Sequence, residues 1–278
     1  MSSPISPYTG TGVALITGSS QGIGKAIALR LAQDGFDIAL NDIAAKIDQL
    51  KEVEKEIQDI GKRTVVVTAD VSSEDEVQRM VETVAQVLGG LDVGFARYFL
   101  CSKVGPKIFS DGFSHIADDL WNLVSIDIWE RTFAINARGT FFCYKYAAIQ
   151  MIKQGRGGRI IGASSEAGKQ GVKNMMAYCA TKFAIRGMTQ SVAWEMGKYG
   201  ITVNAYAPGA VVTALAMQAA DAHAKLDPSM SMTTWENVPS GRSGQPVDIA
   251  GIVSFIASKE SSFITGQSIN VNGGSYFD

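Results

Sequence analysis

The chain has 278 residues, with 25 Lys and Arg against 27 Asp and Glu, and 46% of its residues are hydrophobic. This balance, without a basic block, argues against nucleic acid or a membrane surface as the main partner, and no run of about 18 apolar residues would span a bilayer. Cys101, Cys143 and Cys179 are widely spaced and His115 and His223 isolated, so no disulfide framework and no metal site are expected. The first ten residues lack the basic start and apolar core of a signal peptide, and a cytoplasmic location is expected.

In chain order, a strand over Val13–Thr17 runs into Thr17-Gly18-Ser19-Ser20-Gln21-Gly22-Ile23-Gly24 and then a helix over 24–34. Gly18 suits the tight turn, Gly22 lets backbone N–H groups approach a pyrophosphate, and Gly24 lets the helix pack on the strand. The helix N-terminus carries the partial positive charge that an anion needs. A plain strand-to-helix turn fits this segment as well, because the spacing is Gly-x3-Gly-x-Gly. Next come a strand over Asp37–Asn41, a helix over 44–60, a strand over 64–68 and a helix over 73–88. Residues 94–128 break the rhythm. A helix over 129–154, a strand over 159–163, a helix over 175–198 and a strand over 201–206 follow. Residues 213–239, with Met217, Met230, Met232 and Trp235, read as an apolar substrate lid, before a helix over 246–258 and a strand over Ser268–Val271. Repeated strand–helix units with β-branched strands define an α/β domain over 1–278, a parallel sheet with helices on both faces.

Asp42 stands 18 residues after Gly24, where a carboxylate accepts both hydroxyls of an adenine ribose and repels a 2′-phosphate. No Arg or Lys occupies Ser20, Gln21, Asn41 or Ile43, so NAD is expected over NADP. An Asp that merely caps the helix near Ala44 has the same sequence signature. Asp70, ending the third strand run, either reaches the adenine or caps the next helix. Tyr178 and Lys182 lie four apart on one helix face. A lysine ammonium there lowers the tyrosine pKa, so that the phenol donates or removes a proton near neutral pH. Ser165 can hold the same substrate oxygen, and Lys182 can bond the nicotinamide ribose. Helix-surface contact alone also accounts for such a Tyr–Lys pair.

Taken together, the ordered motifs resemble the short-chain dehydrogenase/reductase family. They are the glycine loop, Asp70-Val71, Asn136-Ala137-Arg138-Gly139, Ser165, Tyr178-Cys179-Ala180-Thr181-Lys182, Pro208-Gly209 with Thr213, Ile264-Thr265-Gly266-Gln267 and Asn272-Gly273-Gly274. The resemblance implies a Rossmann-type, doubly wound parallel sheet of about seven strands, often a homotetramer or homodimer. It implies Tyr178 as general acid/base, Ser165 as the group that orients the substrate oxygen, Lys182 as modulator of the tyrosine, and Asn136 as holder of a relay water through a local helix irregularity. The family's 13-residue spacing to Tyr178 selects Ser165 over Ser164. Cofactor contacts are implied at Gly18, Ser20, Gln21, Gly22, Ile23, Gly24, Asp42, Asp70, Val71, Tyr178, Lys182, Pro208, Gly209, Val211 and Thr213. Residues 178–190 and 201–209 are similar to acetoin and diacetyl reductases (2,3-butanediol dehydrogenases), so a small alcohol or ketone is the implied substrate.

The chain departs from the family after Leu91-Asp92-Val93, where Asn-Asn-Ala-Gly is missing and Asp92 to Asn136 spans 44 positions. An inserted loop, a gene-model error and an alternative transcript all fit this departure. The run Tyr98-Phe99-Leu100-Cys101 is expected to fill the central strand, and NAD affinity is expected to be weaker than in relatives with the motif. Two functions follow: an NAD-dependent alcohol dehydrogenase/carbonyl reductase, or a catalytically impaired dinucleotide-binding or interaction protein on the same fold.

Overall fold

Alternating side chains of β1 (Val13–Thr17) enter two different cores, and this arrangement sets the architecture. Val13 and Leu15 pack into one apolar cluster, Ala14 and Ile16 into the other. β1 is therefore buried on both faces, as a parallel strand between two helix layers must be. The computed structural model describes residues 9–96, 125–172, 175–214, 216–217 and 238–278. Seven parallel strands stand in the order β3-β2-β1-β4-β5-β6-β7. They are β2 (Asp37–Asn41), β3 (Thr64–Val66), β4 (Val93–Ala96), β5 (Gly158–Ala163), β6 (Ile201–Pro208) and β7 (Ser268–Val271). Helices α1 (Gly22–Gln33), α2 (Ile47–Asp59) and α7 (Pro246–Ala257) cover one face. Helices α3 (Glu74–Leu88), α5 (Gly139–Gln154) and α6 (Met176–Met196) cover the other, and α4 (Ile126–Thr132) leads into α5. The doubly wound parallel sheet is thus the expected one, and no described helix is long and apolar enough to cross a membrane.

The strand order reverses between β1 and β4, which opens a crevice at the carboxyl ends of these strands. β4 corrects the expectation for the central position. Val93–Ala96 itself runs between β1 and β5, pairing Ala14 with Val93 and Val93 with Arg159. The run Tyr98-Phe99-Leu100-Cys101, expected to supply this strand, lies outside the described residues. The cause is local. Asp92 N donates to Val13 O at 2.8 Å and Arg159 N donates to Asp92 O at 2.9 Å. The chain is therefore locked between its neighbours before the departure begins, and the lost motif leaves no gap in the sheet.

The Asp92 side chain reinforces this lock. It is 4% exposed, accepts from Val13 N at 2.9 Å and receives two bonds from Arg156. Asp92→Ala leaves the buried Val13 N–H without its acceptor and strips Arg156 of its anion. We expect a loss of about 3 kcal/mol, seen as a fall of several degrees in Tm. An unchanged Tm would show that water replaces the carboxylate at no cost.

Other boundaries moved for identifiable reasons. β3 stops at Val66 because the Asn41 amide takes Val67 O at 2.9 Å and Ala69 O at 3.3 Å in place of ladder bonds. The helix expected from 129 begins at Ile126, where Ser125 Oγ accepts from Ile128 N at 3.3 Å. The helix expected from 44 begins as a 3₁₀ turn, Ala44–Lys46, before α2. α5 closes tightly on the sheet: a β-carbon on Gly162 would lie 2.0 Å from Tyr144 Oη, and one on Gly94 2.8 Å from Ala147 Cβ. Most of the proposed lid, 218–237, lies outside the described residues.

Candidate active site

The glycine loop leaves β1 with φ of 63° at Gly18 and 58° at Gly22, backbone that a β-carbon would strain. Ser19 fastens the loop to β2, its N–H and Oγ both donating to Asn41 O at 2.9 and 3.2 Å. Gly24 is buried in α1, with Ile23 half-buried beside it. The N-cap residue Gln21 makes no side-chain capping bond to α1, and the first turn of the helix holds no acid. α3 differs: Ser73 caps it, and Glu74, Asp75 and Glu76 fill its first turn. The first turn of α1 therefore adds no carboxylate of its own at its positive end, which fits the pyrophosphate of a dinucleotide.

Asp42 meets the loop directly. Ser20 Oγ donates to Asp42 Oδ2 at 2.6 Å and Ile43 N to Oδ1 at 2.9 Å. The half-buried carboxylate caps no helix: Ile43 occupies the N-cap of the following 3₁₀ turn and Lys46 that of α2. Asp70 is not a helix cap either, since Ser73 has that role. Asp70 Oδ1 instead accepts from Ser72 N and Oγ at 3.0 and 2.7 Å. The adjacent Val71 packs on Gly139, where a β-carbon would come within 3.0 Å of it. The Asp70-Val71 motif and the start of α5 thus interlock.

A second group of residues gathers where β5, α5 and α6 meet. Between α4 and α5 the backbone widens into a π turn, Phe133–Arg138, the helix irregularity expected at Asn136. Asn136 is fully buried; its Nδ2 donates to Thr181 Oγ1 at 3.2 Å, while its Oδ1 has no hydrogen-bond partner among the described residues. Lys182 is 1% exposed, and its Nζ donates to Ala163 O at 2.8 Å, at the end of β5. The same ammonium lies 5.4 Å from the centre of the Tyr178 ring. Ser164 and Ser165 follow directly. Ser164 is buried with its Oγ donating to Lys182 O at 3.1 Å, which ties it to α6. Ser165 is half-buried and opens the 3₁₀ turn Glu166–Gly168, its Oγ accepting from Ala167 N at 3.2 Å. Asn136, Tyr178 and Lys182 therefore share one locality with the end of β5 that carries Ser165.

Pro208 ends β6, and Gly209 N donates to Val271 O at 3.2 Å. A β-carbon on Gly209 would sit 2.8 Å from Asn272 Cβ and 3.1 Å from Glu166 Oε2, so only glycine fits here. Val211 is buried and bridges to Gly244, and Thr213 Oγ1 accepts from Ala216 N at 3.1 Å. Sequence reasoning missed three participants. Thr181 seats Asn136, Asn41 ties β2 to the end of β3, and Glu166 contacts the chain's last segment. Thr181 was findable, three after Tyr178 on the same helix; nothing local marks Glu166.

A glycine loop at the strand-order reversal, with a buried lysine against a tyrosine at the end of β5, marks a dinucleotide-dependent oxidoreductase. Residues 18–276 match the family model described as enoyl-(acyl carrier protein) reductase. The chain belongs to the short-chain dehydrogenase/reductase family, NAD(P)-dependent enzymes acting on CH–OH groups. It is 45% identical over 266 residues to a short-chain dehydrogenase/reductase of Armillaria gallica, covering 96% of each chain. A 3-oxoacyl-[acyl-carrier-protein] reductase of Staphylococcus aureus is 36% identical over 95% of this chain and 97% of its own. A diacetyl reductase, (S)-acetoin forming, of Staphylococcus epidermidis is 38% identical over 94% and 97%. Among solved structures, acetoin dehydrogenase from Salmonella typhimurium superposes with a TM-score of 0.76 at 32% identity, covering 95% of this chain and 96% of its own.

Proposed function

We propose that the protein interconverts a small secondary alcohol and its ketone with NAD(H), a vicinal keto-alcohol such as acetoin being the first candidate. The observation that carries this reading is the Lys182 ammonium, buried against Tyr178 and held by Ala163 O one residue before Ser164 and Ser165. A buried cation beside the phenol stabilises its phenolate, so Tyr178 exchanges a proton with the substrate oxygen. Ser165 donates to that oxygen and fixes its position. The bound nicotinamide supplies or accepts the hydride. Lys182 also bonds the nicotinamide ribose, while Pro208, Gly209, Val211 and Thr213 line the ring. Asn136 holds a water that relays the proton outward. Its unpartnered, buried Oδ1 supports this, because such a group costs about 1–3 kcal/mol unless water satisfies it. Similarity to the diacetyl reductase and the acetoin dehydrogenase supports the substrate. Assembly of subunits through α5 and α6, at a cytoplasmic location, completes the reading. Exposed Phe141, Ile149, Phe183 and Trp194 on these helices support the assembly. NADH consumption with diacetyl, acetoin and other small carbonyls tests the activity.

Cofactor choice rests on Asp42. Beside the glycine loop, its carboxylate accepts the adenine ribose hydroxyls and repels a 2′-phosphate. Asp42→Ala is expected to weaken NADH about tenfold, a charged hydrogen bond's share, and to improve NADPH. A wild-type protein that uses NADPH more efficiently would show that this carboxylate does not face the ribose. Without Asn-Ala-Gly after β4, NADH binding is expected to be weaker than in relatives that have the motif.

A further inference from the structure

Beyond β7 the chain turns back through Asn272-Gly273-Gly274 and lays its last residues against the loop that carries Ser165. The turn is enforced by φ of 65° at Gly273 and 89° at Gly274, and by Asn272 Oδ1 accepting from Gly274 N at 3.0 Å. Two fastenings then join the segments. In the first, Ser275 Oγ donates to Glu166 Oε2, whose other oxygen accepts from Gln170 Nε2 at 2.7 Å. In the second, Asp278 accepts from Lys169 Nζ at 2.7 Å and from Asn270 Nδ2 at 3.0 Å, with Arg186 of α6 at 3.6 Å. The Lys169 side chain is only 4% exposed, so this contact is enclosed rather than a loose surface pair.

Glu166 is the immediate neighbour of Ser165 and lies against Gly209 as well as the last segment. The 3₁₀ turn that it begins is three residues long and cannot fix its own orientation by length. We propose that Glu166 is a positioning residue: latched by Ser275, and backed by the Lys169–Asp278–Arg186 cluster, it holds the Ser165 hydroxyl in line with the substrate oxygen. The inference rests on the reading of Ser165 as the hydroxyl that orients the substrate. Small displacements of an orienting group are costly in rate, which gives the latch a catalytic consequence without substrate contact.

The test measures kcat, KM and NADH affinity for Glu166→Ala, Glu166→Gln, Asp278→Asn and Ser165→Ala, together with the Glu166→Ala/Ser165→Ala pair, using diacetyl and NADH. Glu166→Ala is expected to lower kcat about tenfold with NADH affinity within about twofold. Glu166→Gln keeps an acceptor for Ser275 and restores most of the rate. Asp278→Asn loosens the outer fastening and lowers kcat by a smaller factor, and it serves as the second probe if Glu166→Ala folds poorly. In the Ser165→Ala background, Glu166→Ala adds less than about a twofold loss, because it acts through the missing hydroxyl. Normal kcat in both Glu166→Ala and Asp278→Asn, or a full additional loss in the pair, overturns the latch. Normal kcat in Ser165→Ala overturns the underlying role of Ser165 instead, so the two failures are distinguishable.

Discussion

Tyr178→Phe lowers kcat by about 10²–10⁴-fold while NADH binds within about twofold of its wild-type affinity. The substitution removes one phenolic oxygen and leaves the ring against the Lys182 ammonium, 5.4 Å from its centre in the wild-type fold. No packing volume is lost, and the bond from Lys182 to Ala163 O is untouched. The loss corresponds to about 3–5 kcal/mol of barrier, more than the fold would yield for one surface hydroxyl. Steady-state rates with diacetyl and NADH, paired with calorimetry of NADH binding, separate the two effects. A rate near wild type would remove Tyr178 from the proton transfer.

Lys182→Ala is expected to damage both quantities at once, with kcat falling at least about a hundredfold and NADH affinity falling severalfold. The ammonium is 1% exposed and ends at the carboxyl tip of β5. Its removal takes away the charge that stabilises the phenolate and the donor assigned to the nicotinamide ribose. It also frees Ala163 O, immediately before Ser164 and Ser165, so some loss of Tm accompanies the change. Unchanged NADH affinity would argue against the ribose contact. Unchanged kcat with lowered Tm would reduce Lys182 to a fold-holding role.

The contrast between the two halves of the site shows what a sequence makes legible. β1, β2 and β7 begin and end where their apolar runs do, because strand burial and turn residues are local properties. Asp42 and Asp70 stood out because each follows a strand, and the structure shows that neither caps a helix. β4 was misread for the opposite reason. Its four residues, Val-Gly-Phe-Ala, carry little strand signal, and position comes from Asp92, bonded to Val13 of β1 and to Arg156 just before β5, partners 79 and 64 positions away. The π turn at Asn136 was legible only through family resemblance, since nothing in Phe133–Arg138 breaks a helix pattern. The contact of Glu166 with Ser275 spans 109 positions and joins two loops, so no periodicity announces it.

The most direct test of the oxidoreductase reading is the wild-type protein mixed with NADH and diacetyl, followed by loss of the reduced-nicotinamide absorbance. Parallel reactions use NADPH, acetoin and a 3-oxoacyl thioester. The expected result is consumption of NADH with diacetyl, faster than of NADPH and faster than with the thioester. NADH that binds by calorimetry yet is consumed with none of these carbonyls would contradict it, leaving a dinucleotide-binding protein without the chemistry.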